Sequence, residues 1–422
     1  MYGSGSCAEC ANKARTKVQK QKNRGEDKMM RVMVVHNRFH VKVAVILLLS
    51  ISGCGLPRSP VPLASIPDAR VANFSEVRYW EVEYKPDVKT GADTSSDCSF
   101  LALSGGGANG AFGAGFLCGW TVSGTRPNFR VVTGISTGAL IAPLAFLGPE
   151  HNDELKQYYT TIRTKDILDV QGLLGFGIGP VLMGESYAST KPLQKLITQL
   201  VDEKVLIAVA SEHAKGRRLY IGTTDLDAQR FVIWDMGAIA GSGNPDSLNL
   251  FRKVMLASAS IPGAFPPVYF NVEVNGKKYD EMHVDGGVIT EVFGYGRLFA
   301  GTSVQKGLCS IYVIRNGKLD TESEQMPRRA IPIVSRSFST LMKAHSWNDL
   351  FRLYFVAEEN GVDFNYVSIP HDYESHGKEM FDPQEMKKLF ELGFEMAKSG
   401  YKWNEVPPSL RKTGEAEWIW TP

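Results

Sequence analysis

A serine between two glycines is the residue of this sequence best placed to attack a carbonyl group. Ser136 is the centre of Gly-Ile-Ser-Thr-Gly, which lies between an apolar run typical of a strand and one typical of a helix. A Gly-x-Ser-x-Gly turn between strand and helix lifts the serine hydroxyl out of a tight bend. Gly134 and Gly138 allow strand and helix to approach closely, because neither has a Cβ. We predict Ser136 as a nucleophile in an elbow made by these two glycines.

A second glycine-rich turn lies upstream and indicates an anion site. Gly105, Gly106 and Gly107 follow a short apolar strand and precede a helix of small and apolar residues. Bare backbone N–H groups at a helix entrance, together with the helix dipole, attract negative charge. Two anions fit the pattern. One is a pyrophosphate, since Gly105-x-Gly107-x-x-Gly110 matches the dinucleotide fingerprint, and the other is the oxyanion of an acyl-transfer intermediate.

The residues that follow this turn favour the oxyanion. A dinucleotide fold needs an acidic residue about 20 residues beyond the glycines, to hold the ribose hydroxyls. No Asp or Glu occurs between Asp97 and Glu150, and the serine turn ends the next predicted strand instead. We therefore predict that Gly105, Gly106 and Gly107 form an oxyanion hole.

An aspartate far downstream is the candidate base. Asp285 ends a predicted strand and is followed by Gly286 and Gly287, which leave room for another backbone turn to come close. Asp-Gly pairs most often serve only in turns, so the pair alone does not indicate catalysis. Because Asp285 follows the two glycine-rich turns in the sequence, we predict that it is a catalytic base.

These three features, in this order, resemble the patatin-like phospholipase family. The resemblance covers roughly residues 100–287, with supporting segments at 219–225 and 257–263. It implies a Ser136–Asp285 dyad, the glycine turn at 105–107 as oxyanion hole, an acyl-ester substrate such as a phospholipid, and no cofactor or metal.

Two residues depart from the family pattern. Members usually carry Asp before the glycines and Arg in the following turn, where this chain has Ser104 and Asn109. The departure puts charged assistance to the oxyanion in doubt but leaves the backbone donors intact.

Two other functions stay open at this point. One is a Ser-His-Asp esterase, which needs a histidine beside the serine. His283 lies two residues before Asp285 and hence on the same strand face. Three more histidines come after the aspartate in the sequence, as the order Ser, Asp, His of α/β-hydrolases requires: His345, His371 and His376. The chain could also bind lipid or a partner without turnover.

Alternating predicted strands and helices favour a three-layer α/β/α sandwich with a mainly parallel central sheet. We expect this catalytic domain to span residues 77–422. Two helices are predicted at 330–343 and 348–359. The apolar loop at 172–184 is given no role in the site.

The N-terminal residues predict export and a lipid anchor. An apolar run at 41–52 follows basic residues, which is typical of a signal peptide. Ile51-Ser52-Gly53-Cys54 resembles the lipobox of bacterial lipoproteins, which implies a signal at 29–53 and lipidation of Cys54, although a plain signal or an uncleaved anchor also fits. Residues 1–28 then form an over-extended start or a disordered leader, and 54–76 an extended tether. Gly55, in place of aspartate, favours the outer membrane of the cell envelope.

Charge and cysteine content bear on possible partners and on disulfide pairing. Lys and Arg total 47 against 45 Asp and Glu, a net charge of +2, which gives no reason to expect a nucleic-acid partner. Past Cys54 only Cys98, Cys118 and Cys309 remain. Three cysteines do not define a disulfide framework, so their pairing stays open.

Overall fold

One mixed sheet organises the computed structural model, which describes residues 58–81, 98–169, 189–294 and 308–410. Its strands are, in chain order, β1 (Arg70–Val71), β2 (Arg78–Trp80), β3 (Cys98–Leu103), β4 (Val131–Gly134), β5 (Arg218–Asp225), β6 (Arg230–Asp235), β7 (Val268–Val274), β8 (Lys277–Asp285), β9 (Cys309–Arg315) and β10 (Asp363–Ser368). The helices are α1 (Gly110–Val122), α2 (Thr137–Leu147), α3 (Asn152–Thr161), α4 (Thr164–Ile167), α5 (Lys191–Leu200), α6 (Glu203–Ala214), α7 (Met236–Gly241), α8 (Ser247–Ser258), α9 (Ala330–Asn360) and α10 (Pro383–Lys398).

The centre of the sheet is parallel. Strands β10, β9, β3, β4 and β5 lie side by side in that order, and every neighbouring pair among them is parallel. The carboxyl ends of these strands therefore meet at one edge of the sheet, where ligands bind in open α/β sheets. The predicted mainly parallel central sheet is confirmed.

Antiparallel strands extend the sheet beyond β5. Strand β8 pairs with β5 and with β7, and β7 pairs with β1. Strands β7 and β8 form a hairpin whose turn, Asn275-Gly276, has positive φ at both residues, as an Asn-Gly hairpin requires. The pairing of β8 with β5 places the end of β8 beside the parallel strands.

Helices cover both faces of the sheet and complete three layers. On β3, Leu101 and Leu103 belong to one hydrophobic core, whereas Phe100 and Ala102 belong to the other. Successive side chains of a strand point to opposite faces, so one strand serves both cores. The second core also contains Leu353 of helix α9. The three-layer α/β/α sandwich is confirmed.

The predicted tether is wrong from residue 58 onward. Arg58 forms ion pairs with Asp227 and Asp280, and β1 joins the sheet. Val61 and Val71 are buried. Burial of these apolar side chains ties a proline-rich segment to the domain, so the packed chain begins well before the predicted boundary at 77.

Two other features differ from, or add to, the sequence prediction. The two helices predicted at 330–343 and 348–359 are a single helix, α9. Cys98 and Cys309, which are register partners on β3 and β9, form a disulfide, and Cys118 is free and buried.

Some predictions lie outside the described residues. They concern the leader at 1–28, the signal at 29–53, lipidation of Cys54 and the loop at 172–184. Within the described ranges, no helix combines the length and apolarity needed to cross a bilayer.

Candidate active site

Ser136 sits in a strained turn between β4 and α2. Its φ is +54° and its ψ is −123°, a region that residues other than glycine seldom adopt. A Cβ at Gly134 would lie 2.4 Å from Gly138 O, and one at Gly138 would lie 2.4 Å from Leu103 O. Both flanking glycines are therefore required by close backbone approach, as the elbow interpretation predicts.

A second serine, at the end of helix α8, holds this turn. Ser136 N donates to Ser258 Oγ at 3.0 Å, and Ser258 Oγ donates to Gly222 O at 2.7 Å. Ser258 ends helix α8 and is fully buried. The segment 257–263 carried part of the family resemblance, but the sequence alone did not indicate this role for Ser258.

Asp285 lies at the end of β8, beside Ser136. Its backbone N donates to Ser260 O at 2.9 Å, and its Oδ1 accepts from Gly287 N at 2.8 Å. Its Oδ2 is buried and has no hydrogen-bond partner of ordinary geometry. Burial raises the pKa of Asp285 to about 7, and the nearby Ser136 hydroxyl and the Gly287 N–H partly oppose this rise. The carboxylate is thus fixed by one oxygen and free to act with the other.

The histidines do not complete a triad. His283 Nδ1 lies 2.9 Å from Thr223 Oγ1, and its Nε2 lies 3.4 Å from Glu281 Oε2. His371 and His376 are exposed. In the described part of the chain, no histidine, His345 included, forms a hydrogen bond or ion pair with Ser136 or Asp285.

The glycine turn lies against the serine, but one of its three predicted donors is already used. A Cβ at Gly105 would lie 3.3 Å from Ser136 Cβ. Gly105 N donates to Glu291 O at 3.0 Å and is not available to a ligand. The N–H groups of Gly106 and Gly107, at φ of 152° and 57°, have no protein acceptor among the described residues. Of the three N–H groups predicted for an oxyanion hole, at Gly105, Gly106 and Gly107, the described structure thus leaves only the last two without an acceptor.

A buried arginine stands behind this turn. Arg315 ends β9, and its Nη1 donates to Gly105 O at 3.0 Å and to Ser104 Oγ at 3.1 Å. The same nitrogen lies 3.4 Å from Glu291 Oε2. The family pattern supplies an arginine from the turn itself, where this chain has Asn109. Here the cation comes from the neighbouring strand and holds the turn through its carbonyl.

Acidic groups surround this arginine. Burial raises the pKa of Glu291 to about 8, and Arg315 opposes the rise. Glu291 N donates to Asp349 Oδ2 of helix α9 at 2.7 Å, and burial raises the pKa of Asp349 to about 7. Asn316 adds two contacts to the residue before the glycines, since its N donates to Ser104 Oγ and its Nδ2 to Ser104 O, each at 2.8 Å.

The sequence interpretation missed these supporting residues. Only their position in the sequence could have indicated them. Residues 315 and 316 directly follow the apolar run 311–314, which is typical of a strand, and this strand ends at the sheet edge where the two glycine-rich turns also lie. Their partners are too distant in sequence for any motif, because Arg315 and Ser104 are 211 positions apart.

One further cluster has the donors of a metal site. Single ligand atoms of Asp225, Glu281 and His283 lie within 4.8 Å of one another, all buried. Arg78 forms an ion pair with Glu281 and supplies the positive charge there. The Arg78 guanidinium holds the pKa of Glu281 at about 2 against the opposing effect of burial. We assign this cluster to packing between β5, β8 and the N-terminal strands.

Comparison with known proteins agrees with this geometry. Residues 101–293 match the family model described as Patatin-like phospholipase. No curated protein sequence matches the chain.

Two solved structures are similar at low identity. VipD from Legionella pneumophila is 13% identical with a TM-score of 0.37, covering 84% of this chain and 73% of that one. The type III effector protein ExoU is 12% identical with a TM-score of 0.24, covering 74% of this chain and 55% of that one. At these TM-scores neither likeness bears on the chemistry. The family match spans both glycine turns, Ser136 and Asp285. Residues 101–293 thus form a patatin-like phospholipase domain, the domain of an ester-hydrolysing enzyme.

Proposed function

We propose that the protein hydrolyses carboxylic esters of membrane lipids, as a phospholipase A or lysophospholipase, through a Ser136–Asp285 dyad. The observation that carries the proposal is the free Oδ2 of Asp285, fully buried beside a serine held at φ +54°. A carboxylate with its ordinary pKa is a poor base for a hydroxyl. Burial raises the pKa of Asp285 to about 7, so it is a stronger base that is still ionised near neutral pH.

The proposed reaction has two halves. Ser136 Oγ attacks the ester carbonyl carbon while Asp285 takes the hydroxyl proton, and the N–H groups of Gly106 and Gly107 stabilise the oxyanion. The intermediate collapses, the C–O bond to the leaving alcohol breaks, and Asp285 returns the proton to that alcohol. Water then attacks the acyl-serine with Asp285 as base, which releases the fatty acid and restores Ser136.

The proposed location is the bacterial cell envelope, with a lipid anchor on Cys54 in the outer membrane. The Cys98–Cys309 disulfide supports export, since disulfides persist in oxidising compartments. Labelled palmitate should be incorporated into the wild-type chain and not into Cys54→Ala. Equal incorporation would argue against the anchor.

Two substitutions test the dyad directly. Ser136→Ala should abolish labelling by a fluorophosphonate probe and hydrolysis of a short-chain p-nitrophenyl ester. Asp285→Asn should lower turnover roughly 10³-fold, because general-base catalysis is lost while the serine remains. Labelling and kcat are measured on protein whose fold is verified by circular dichroism.

Matched controls are Ser211→Ala and Asp363→Asn, which alter exposed side chains away from this turn. Both should retain full labelling and turnover. A protein that binds lipid without turnover would give no labelling in any variant. Normal turnover by Asp285→Asn would reject the dyad.

A further inference from the structure

The first half of helix α9 lies on the surface with large apolar side chains exposed. Ile333, Val334 and Leu341 expose 50%, 67% and 59% of their surface. No described side chain at positions 332–345 is buried, although the second half of the helix contributes to a hydrophobic core. The exposed apolar side chains of this half therefore lie outside the hydrophobic cores of the described chain.

These side chains form one stripe that faces away from the domain. An α-helix turns about 100° per residue, so the exposed residues share an arc of about 100°. Its members are Ile333, Val334, Leu341 and Phe355. The core-facing residues of the same helix are centred roughly opposite, at Leu350, Leu353 and Ala357.

Positive charge lies at the start of the stripe. Arg328 and Arg329 directly precede α9, are exposed, and form no ion pair with any described residue. They stand at the helix N-terminus, the positive end of its dipole. The next cations are neutralised by carboxylates, Arg336 by Glu324 and Lys343 by Glu322. The unpaired charge beside Ile333 and Val334 is thus basic.

The same helix contacts the candidate active site. Met342 Cε lies 2.7 Å from the point where a Cβ on Gly287 would be, next to Asp285. Asp349 accepts a hydrogen bond from Glu291 N, and Glu291 in turn binds the glycine turn. A surface that docks α9 would bring the Asp285 turn close to that surface.

We propose that the stripe of Ile333, Val334 and Leu341, together with Arg328 and Arg329, docks on a bilayer that contains anionic phospholipid. Apolar side chains enter the headgroup boundary while the arginines contact lipid phosphates, as amphipathic helices do when they lie on membranes. The helix lies in the interface and does not span it. This inference rests on the proposed lipid-ester substrate, which is why a bilayer is chosen over a second copy of the chain.

A fluorescent label on the stripe tests docking without turnover. The full chain carries Ser136→Ala, so that the bilayer is not consumed, and Leu341→Cys labelled with an environment-sensitive dye. Ile207→Cys is the matched control, because Ile207 on α6 is 64% exposed. The unsubstituted chain, labelled in parallel, gives the background from native cysteines.

Vesicles of phosphatidylcholine with phosphatidylglycerol should raise emission several-fold at position 341 and leave position 207 unchanged. Pure phosphatidylcholine should give a smaller rise, and Arg328→Glu/Arg329→Glu should remove the difference between the two vesicle types. Lys277→Glu/Lys278→Glu, an equal charge change at exposed positions of β8, should not. No response at 341, or an equal one at 207, overturns the proposal.

Activity separates docking from catalysis. Ile333→Glu/Leu341→Glu in the active chain should lower hydrolysis of vesicle phospholipid about tenfold and leave a soluble ester unaffected, whereas Ile207→Glu should change neither. Equal losses on both substrates would make the stripe structural and reject docking. A dimer in light scattering that this variant dissociates, without any vesicle response, would replace the bilayer by a second copy. If the wild-type chain hydrolyses no ester, the proposed function fails while the fluorescence result still decides docking.

Discussion

At the scale of single residues, burial sets the chemistry of the site. Asp285 and Glu291 are almost fully buried, and loss of solvation raises the pKa of Asp285 to about 7 and that of Glu291 to about 8. A raised pKa means that the neutral acid is favoured in the folded protein. Ionising Asp285 therefore costs folding free energy and at the same time creates a base.

The pH dependence of activity should show this base. In the proposed mechanism only ionised Asp285 accepts the Ser136 proton, so kcat/KM for a soluble ester should fall about tenfold per pH unit below 7 and level off above it. Initial rates between pH 5 and 9 measure this, with fold monitored at each pH. A kcat/KM that falls only near pH 4 would mean that Asp285 is solvated in the working enzyme.

The same residue should lower stability at high pH. Its folded pKa is raised above 3.8, so the folded state binds the extra proton, and stability falls as pH rises from about 4 to 7. Asp285→Asn should therefore stabilise the protein by on the order of 4 kcal/mol at pH 8 and have little effect at pH 4. Urea unfolding measures both, with Asp363→Asn as the neutral control. Equal effects at the two pH values would contradict this prediction.

Arg315 should matter for turnover more than for substrate binding. Arg315→Met removes the donor to Gly105 O, and we expect kcat to drop about 10²-fold with KM little changed. Arg315→Lys keeps the charge and should recover part of the loss. Steady-state kinetics on a soluble ester distinguish the variants.

A double variant shows whether this role is only structural. Arg315→Met/Glu291→Gln removes the buried cation together with the carboxyl group beside it and should recover stability but not kcat. Recovery of kcat in the double variant would show that the pair serves folding alone.

At the scale of elements, close backbone contacts join the two glycine-rich turns. The Gly138 backbone at the start of α2 lies against Leu103 O and Ser104 O, immediately before the glycine turn. The absence of a Cβ at Gly138 thus keeps Ser136 and the glycine turn adjacent.

Gly138→Ala should accordingly destabilise the fold by about 3 kcal/mol or more, because backbone atoms cannot move aside as side chains do. Gly241→Ala in α7 is the matched control: no atom lies within 4 Å of its added Cβ. That change should be neutral or slightly stabilising. Chemical denaturation measures both variants, and similar stabilities would mean that the elbow adapts.

Elements with a local signal were predictable. The Asn275-Gly276 pair by itself favours a two-residue hairpin turn, and the strand that leads into it, 268–274, is β7. Helix α9 was predicted in two pieces, but the gap between them at 344–347 contains no residue that ends a helix. Ser346 in this gap donates its hydroxyl to Met342 O and stays helical. Residues 58–76 were misassigned because Arg58 is held by Asp227 and Asp280, and such distant pairing leaves no mark in local sequence.

At the scale of the whole molecule, topology assembles the site. Strands β3, β4 and β9 are parallel neighbours, and they end next to Gly105, at the Ser136 turn and at Arg315. The Ser136 turn and the first glycine turn were predictable because each has a strand–turn–helix signature. The arginine was not, since strand order brings β9 beside β3 and no sequence pattern gives that order.

The disulfide should stabilise this arrangement. It closes a separation of 211 residues between β3 and β9, and a native disulfide typically contributes about 2–4 kcal/mol. Cys98→Ala/Cys309→Ala should lose that amount in urea unfolding. Reductant should weaken the wild-type protein and leave the variant unchanged, and a wild-type chain insensitive to reductant would contradict the assignment.

The same cross-link has a consequence for biogenesis. It joins Cys98 to Cys309, whereas Cys118, which lies between them in the sequence, is a buried free thiol. On the proposed export route the N-terminal part of the chain emerges first, and an oxidase then meets Cys98 and Cys118 long before the correct partner. If Cys98 and Cys118 pair on this route, thiol–disulfide exchange must undo that bond, and we expect a cell that lacks disulfide isomerase to accumulate a misoxidised, inactive form.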